Sequence, residues 1–141
     1  MKAKESDYYS TNVFHIFTIK NTMNISDIAD RLAELCRKGE FETAQKELYA
    51  DNALSIEPHA TPDFEKEVKG LAAILEKGRK FQSMTQEVHK REVSNPLISN
   101  NSFAFTMRMD ITMKEHGRMD VTELCVYEVK DGKIVSEHFF M

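Results

Sequence analysis

The sequence predicts an α+β fold, with helices in the first half and a curved antiparallel sheet in the second that wraps onto three of them. Three observations carry this. Apolar residues recur at helical spacing over about 25–49 and again from 71 to 81. The period changes to two after about residue 84. Turn residues then punctuate the chain at Asn100-Asn101, His116-Gly117 and Asp131-Gly132. The order of elements is helix, helix, strand, helix, then four strands.

Residues 1–22 are rich in Ser, Thr, Asn and Lys and do not join smoothly to the rest of the chain. Either Met23 is the natural first residue or 1–22 is a loosely attached or poorly ordered extension, and 23–141 is one domain. An edge strand over 13–19 is the competing reading. The apolar segment Val13–Ile19 is interrupted by His15 and followed by Lys20 without a small-residue cleavage site, so a signal peptide is not expected.

Ile25, Ile28, Ala29, Leu32, Leu35 and Cys36 form one helical face, capped by Asn24 or Ser26 and stopped by Gly39. Phe41, Ala44, Leu48 and Tyr49 predict a second, shorter helix bent back on the first. Ala53–Glu57 reads as a strand closed by Pro58, and Thr61-Pro62 suits the start of a helical turn in the loop beyond. Gly70 introduces a third helix carrying Leu71, Ile74, Leu75 and Phe81. Strands come next at about 84–99, 102–114, 118–130 and 133–140, the first broken at Asn95-Pro96 because proline cannot donate to a ladder.

Composition bounds the function. The chain has 141 residues and a net charge of -4, with basic residues scattered, so nucleic acid and anionic membranes are not expected partners. Cys36 and Cys125 lie far apart and form no CxxC or zinc-spaced cluster. Two buried thiols in a reducing cytosol are the expectation, and no apolar run has the length of a membrane helix.

Strand 102–114 alternates sharply, with Phe103, Phe105, Met107, Met109, Ile111 and Met113 on one face. A three-residue loop Glu115-His116-Gly117 pairs Lys114 with Arg118 and sets Met109 opposite Glu123, Met107 opposite Cys125, and Phe105 opposite Tyr127. This register is preferred because it makes one continuous apolar face. It leaves Glu123 in the middle of that face, where an unpaired ionised carboxylate is prohibitive, so a hydrogen bond or a raised pKa is expected. A two-residue turn at Asp131-Gly132 pairs Val129 with Ile134 and brings Ser136 and His138 to the Glu123 face. A three-residue loop with a bulge brings Val135, Glu137 and Phe139 instead. The first is favoured because it joins two apolar residues across the turn.

The ordered set Ile28–Leu35 with Gly39, Tyr49–Glu57, Gly70–Ile74, Glu87-Val-His89 with Val93–Pro96, Phe105–Thr112 and Val126–Ile134 resembles the SnoaL-like branch of the nuclear-transport-factor-like, or cystatin-like cone, superfamily. The resemblance covers about 24–141. It implies a cone-shaped sheet around a cavity, and frequent homodimers. It also implies a protein that works without metal or cofactor on a small hydrophobic molecule. Members include ketosteroid isomerases, polyketide cyclases, limonene epoxide hydrolase and scytalone dehydratase, alongside many non-catalytic domains.

Glu123 is therefore the leading candidate for a general acid or base; its competing role is a structural hydrogen bond. His138 is its candidate partner and Tyr127 a candidate oxyanion donor, with ordinary packing as the alternative for each. Phe105, Met107 and Met109 are candidate ligand contacts, as adaptable apolar side chains, and Glu57 with His59 is placed at the cone mouth. Asp110 faces away from the Met row and reads as a surface or dimer-interface charge. Glu87, His89 and Arg91 read as a surface ladder on one strand face. Two functions fit this set: a cofactor-independent isomerase, cyclase or dehydratase acting by carboxylate proton transfer, or a non-catalytic ligand-binding or dimerisation module.

Overall fold

The structure, a computed structural model, describes residues 23–141; the extension 1–22 and the alternative strand at 13–19 lie outside the described residues. Helix α1 (Ile25–Arg37) starts where Asn24 Oδ1 accepts the Asp27 N–H at 2.9 Å. It stops at Gly39, whose φ of +73° suits the left-handed C-terminal cap, with the Glu40 N–H closing onto the Leu35 carbonyl at 2.9 Å. Helix α2 (Phe41–Leu48) folds back directly. Strand β1 (Tyr49–Ile56) begins earlier than the sequence suggested, because Tyr49 belongs to the strand rather than to the helix.

The loop after β1 contains no helical turn. Thr61 and Phe64 instead close a tight turn through two hydrogen bonds, at 2.9 and 3.0 Å, and a short strand β2 (Glu67–Lys69) pairs with β1. Helix α3 (Leu71–Met84) leads into β3 (Thr85–Val93), β4 (Leu97–Ser99), β5 (Ser102–Met113), β6 (Gly117–Lys130) and β7 (Lys133–Phe140). Asn95-Pro96 splits the long strand expected over 84–99 into β3 and β4, both of which pair with β5.

The sheet runs β2-β1-β7-β6-β5-β3. It is mixed rather than wholly antiparallel, since β1 lies parallel to β7. Register shifts fall in β1, twice in β3, and between β6 and β7. Each such irregularity bends and twists a strand, so the sheet is curved and unclosed. Its inner face packs Phe103, Phe105, Met107, Cys125 and Tyr127 with Ile28, Leu32 and Leu35 of α1 in one buried cluster. None of the described helices is long and apolar enough to cross a membrane.

The β5–β6 hairpin keeps the expected faces but slides by two residues. Met113 pairs with Gly117 and Met107, not Met109, stands opposite Glu123. The loop is Lys114-Glu115-His116, and Gly117 takes the left-handed position at φ +77° as the first residue of β6. The even offset leaves every side chain on its predicted face.

The last hairpin departs more. Asp131 and Gly132, at φ +52° and +74°, form the expected two-residue turn, and Val129 pairs with Ile134. A bulge immediately after it reverses the faces, so that Tyr127 opposes Glu137 and Cys125 opposes Phe139. Glu137, rather than His138, therefore shares the Glu123 face.

Candidate functional site

The inner face and the helices enclose a cavity of about 510 Å³. Met107 and Met109 of β5 form its floor, with Glu123 and Tyr127 beside them on β6. Phe41 and Ala44 come from α2; Ile74, Lys77 and Phe81 come from one stripe of α3; Phe139 comes from β7. These apolar walls explain the state of the carboxyl groups they surround.

Burial raises the Glu123 carboxyl to about 7, and repulsion from Glu57 and Glu137 adds to the effect while Lys77 opposes it. The Cys125 thiol approaches Glu123 Oε1 at 4.0 Å. Glu137 is fully buried and its carboxyl is raised for the same primary reason. Hydrogen bonds from Tyr49 and Ser55 and the charge of Lys77 resist that rise. The Tyr49 hydroxyl donates to Glu137 Oε2. Lys77 Nζ donates to Ser55 Oγ at 2.9 Å and pairs with Glu57 Oε1 at 2.5 Å. Glu57 thus takes the Lys77 ammonium directly, and burial at this end of the cavity favours the protonated forms of Glu123 and Glu137.

Tyr127 lies under this cluster with its ring stacked on Phe103 at 4.9 Å and tilted against Phe105 at 5.3 Å. Burial keeps its hydroxyl protonated far above the ordinary tyrosine range, so it is a donor at any working pH.

The structure brings together Glu123, Tyr127, Met107, Met109, Glu57 and His59 around the cavity. It does not bring His138 there. The bulge turns His138 to the outer face, opposite Val126 and with its ring 4.1 Å from that of Phe140. Phe105 also lies apart: opposite Cys125, with 2% of its surface exposed, it packs in the core and does not line the cavity. Asp110 lies on the outer sheet face but is not the exposed charge expected: only 9% of it is exposed, and Arg118 clamps it at 2.9 and 3.0 Å and holds its carboxyl below the usual range.

Arg91 departs from the predicted ladder. Glu87 and His89 stay paired with each other at 3.8 Å, but a bulge between Val88 and Lys90 turns Arg91 toward Met109 and the cavity. Sequence reasoning also missed Lys77, Tyr49 and Ser55. The signal for Lys77 was present, since Ile74, Lys77, Gly78 and Phe81 keep helical spacing. Among the described residues, no three His, Cys, Asp or Glu side chains are grouped so as to hold a metal ion.

Residues 23–141 match the model of the SnoaL-like domain, and the chain belongs to that family. A SnoaL-like protein from Mesorhizobium loti that carries a provisional polyketide cyclase name is similar over 84% of this chain and all of its own. Its sequence is 32% identical and its TM-score 0.78. A cystatin-like-fold protein of unknown function from Xanthomonas campestris shares 17% identity over 84% of this chain and 90% of its own, with a TM-score of 0.70. A provisionally named isomerase from Bacillus subtilis shares 20% identity over 83% and 88%, at a TM-score of 0.62. The last two similarities establish fold alone. Among curated protein sequences, none matches the chain significantly.

Proposed function

We propose that the cavity is a cofactor-independent proton-transfer site for a small hydrophobic substrate, performing an isomerisation, cyclisation or dehydration. One observation carries this: Glu123 faces a methionine-floored cavity with its carboxyl raised to about 7. A group with that pKa is divided between acid and base at neutral pH, which is where general catalysis is most efficient. Tyr127 supplies a neutral donor for a developing oxyanion. The cyclase and isomerase names carried by similar proteins agree with this chemistry.

The test is a thermal-shift screen of the full chain over small polycyclic, terpenoid and keto compounds, with turnover then measured for those that bind. Glu123→Gln is expected to keep ligand-induced shifts and lose at least roughly a hundredfold in turnover. Binding without turnover in the native protein would leave the ligand-binding module as the function.

The same reading includes a homodimer formed through the outer sheet face. Leu124 and Phe140 are paired across β6 and β7 and are 42% and 45% exposed, and Leu97 of β4 is 80% exposed. Sedimentation of Leu124→Glu/Phe140→Glu beside the native chain checks it: a dimer becoming a monomer supports the face. Cys36 and Cys125 are both buried free thiols, which suits a reducing cytosolic setting.

A further inference from the structure

We propose that Arg91 anchors a carboxylate on the ligand, so that the substrate class is a small hydrophobic carboxylic acid bound with its acid group remote from Glu123. This rests on the proposed cavity function and specifies which molecules the cavity accepts.

The chain has six arginines. Arg31, Arg79, Arg108 and Arg118 each meet a carboxylate, and Arg37 donates to the carbonyls of Val93 and Ser94. Arg91 alone has neither a hydrogen bond nor an ion pair among the described residues. Its Nε is buried without an acceptor, which no other buried side-chain nitrogen or oxygen among them shares. A buried donor left unmatched is costly, and more so on a charged group. Nothing in the described fold compensates it with an anion.

The guanidinium is nevertheless held in place. It lies over the Phe41 ring, 5.2 Å from the centroid, and against Gly39, where a Cβ would stand 2.5 Å from Nη1. A planar fork fixed between a ring and a bare backbone is organised for a planar, two-oxygen partner.

Its position sets the ligand's orientation. Arg91 pairs with Met109 on β5, and Glu123 pairs with Met107 on the other side of the same strand. Two strand spacings separate the cation from the acid, roughly 10 Å, with the two methionines between. The Glu123 end already holds Glu57 and Glu137 around a single Lys77, so it repels a further anion. The Arg91 end attracts one. A ligand with an acid at one end and a reactive apolar body thus has only one favourable direction of entry.

The probes are 2-naphthoic acid and its methyl ester, titrated calorimetrically into the full chain at pH 7.5. The native protein is expected to favour the acid by roughly tenfold or more, the scale of a charge-assisted pair. Added salt should erode that preference. Arg91→Met, which keeps an apolar chain and removes the guanidinium over Phe41, should abolish the preference and leave ester binding in place, while Arg91→Lys should retain part of it. Equal binding of acid and ester by the native protein, or an undiminished preference in Arg91→Met, overturns the Arg91 assignment alone. Failure of both probes to bind overturns the assignment together with the cavity reading. The native comparison stands even where a variant does not fold.

Discussion

Gly39 and Arg91 share one small volume: a Cβ on the glycine would stand 2.5 Å from the arginine Nη1. The residue that ends α1 therefore also provides the space in which the cavity's cation rests. Gly39→Ala should cost about 1 kcal/mol for its left-handed backbone and displace the guanidinium as well. Gly39→Asn separates the two effects, because asparagine tolerates that backbone yet still carries a Cβ. Near-native melting with a lost carboxylate preference in Gly39→Asn is the expected result. A preserved preference would mean that the Arg91 head moves without consequence.

Stability should fall with rising pH around Glu123. Its carboxyl is raised from an ordinary 4.5 to about 7, so between those values the folded chain holds a proton that the unfolded chain has released. The stabilisation is complete below about 4.5 and is lost as pH rises through about 7, with an upper bound of about 3 kcal/mol. Glu123→Gln should match the native protein near pH 4.5 and exceed its stability at pH 8, in urea melts across that range. Glu137, raised in the same direction, leaves the variant a residual slope of the same sign. An unchanged pH profile would show that Glu123 ionises freely.

Lys77 restrains both acids. It pairs with Glu57 at 2.5 Å and lowers the carboxyl groups of Glu123 and Glu137. Lys77→Met should move the Glu123 midpoint upward by roughly one pH unit, as read by carboxyl carbon NMR or by the pH dependence of turnover. A midpoint that stays near 7 would mean that solvent in the cavity screens the ammonium.

Tyr49→Phe removes a donor to the fully buried Glu137. The expected loss is about 1–3 kcal/mol in denaturant melts, growing as pH rises, because the hydroxyl favours the ionised carboxylate. A loss below about 0.5 kcal/mol, within the range of an ordinary surface change, would show that Ser55 and Lys77 suffice.

The sequence was most readable where a pattern is long and regular. The Phe-Met row of β5 fixed its own face, and the β5–β6 hairpin tolerated a two-residue slip because an even offset leaves parity unchanged. Glu123 was visible for the same reason, as a charge on an apolar face. Bulges were harder: one at the last hairpin was weighed but not preferred, and the one that turns Arg91 inward in β3 was not foreseen. One residue of extra backbone in β3 turned Arg91 inward, and another in β7 exchanged His138 for Glu137; no residue type announces either. Tyr49, Ser55 and Lys77 join the site only through the parallel β1–β7 pairing and the packing of α3, contacts between segments distant in the chain.

The bulge beyond Asp131-Gly132 has a consequence for how this cavity can change. It decides whether a carboxyl or an imidazole faces the cavity, and it does so through how backbone units pair rather than through side-chain identity. At unchanged length, closing that bulge would pair Tyr127 with Ser136 and Cys125 with His138, swinging His138 inward and Glu137 outward with no substitution at either position. In this chain, the pairing register beyond that hairpin determines the cavity's ionisable groups as much as the residues themselves do.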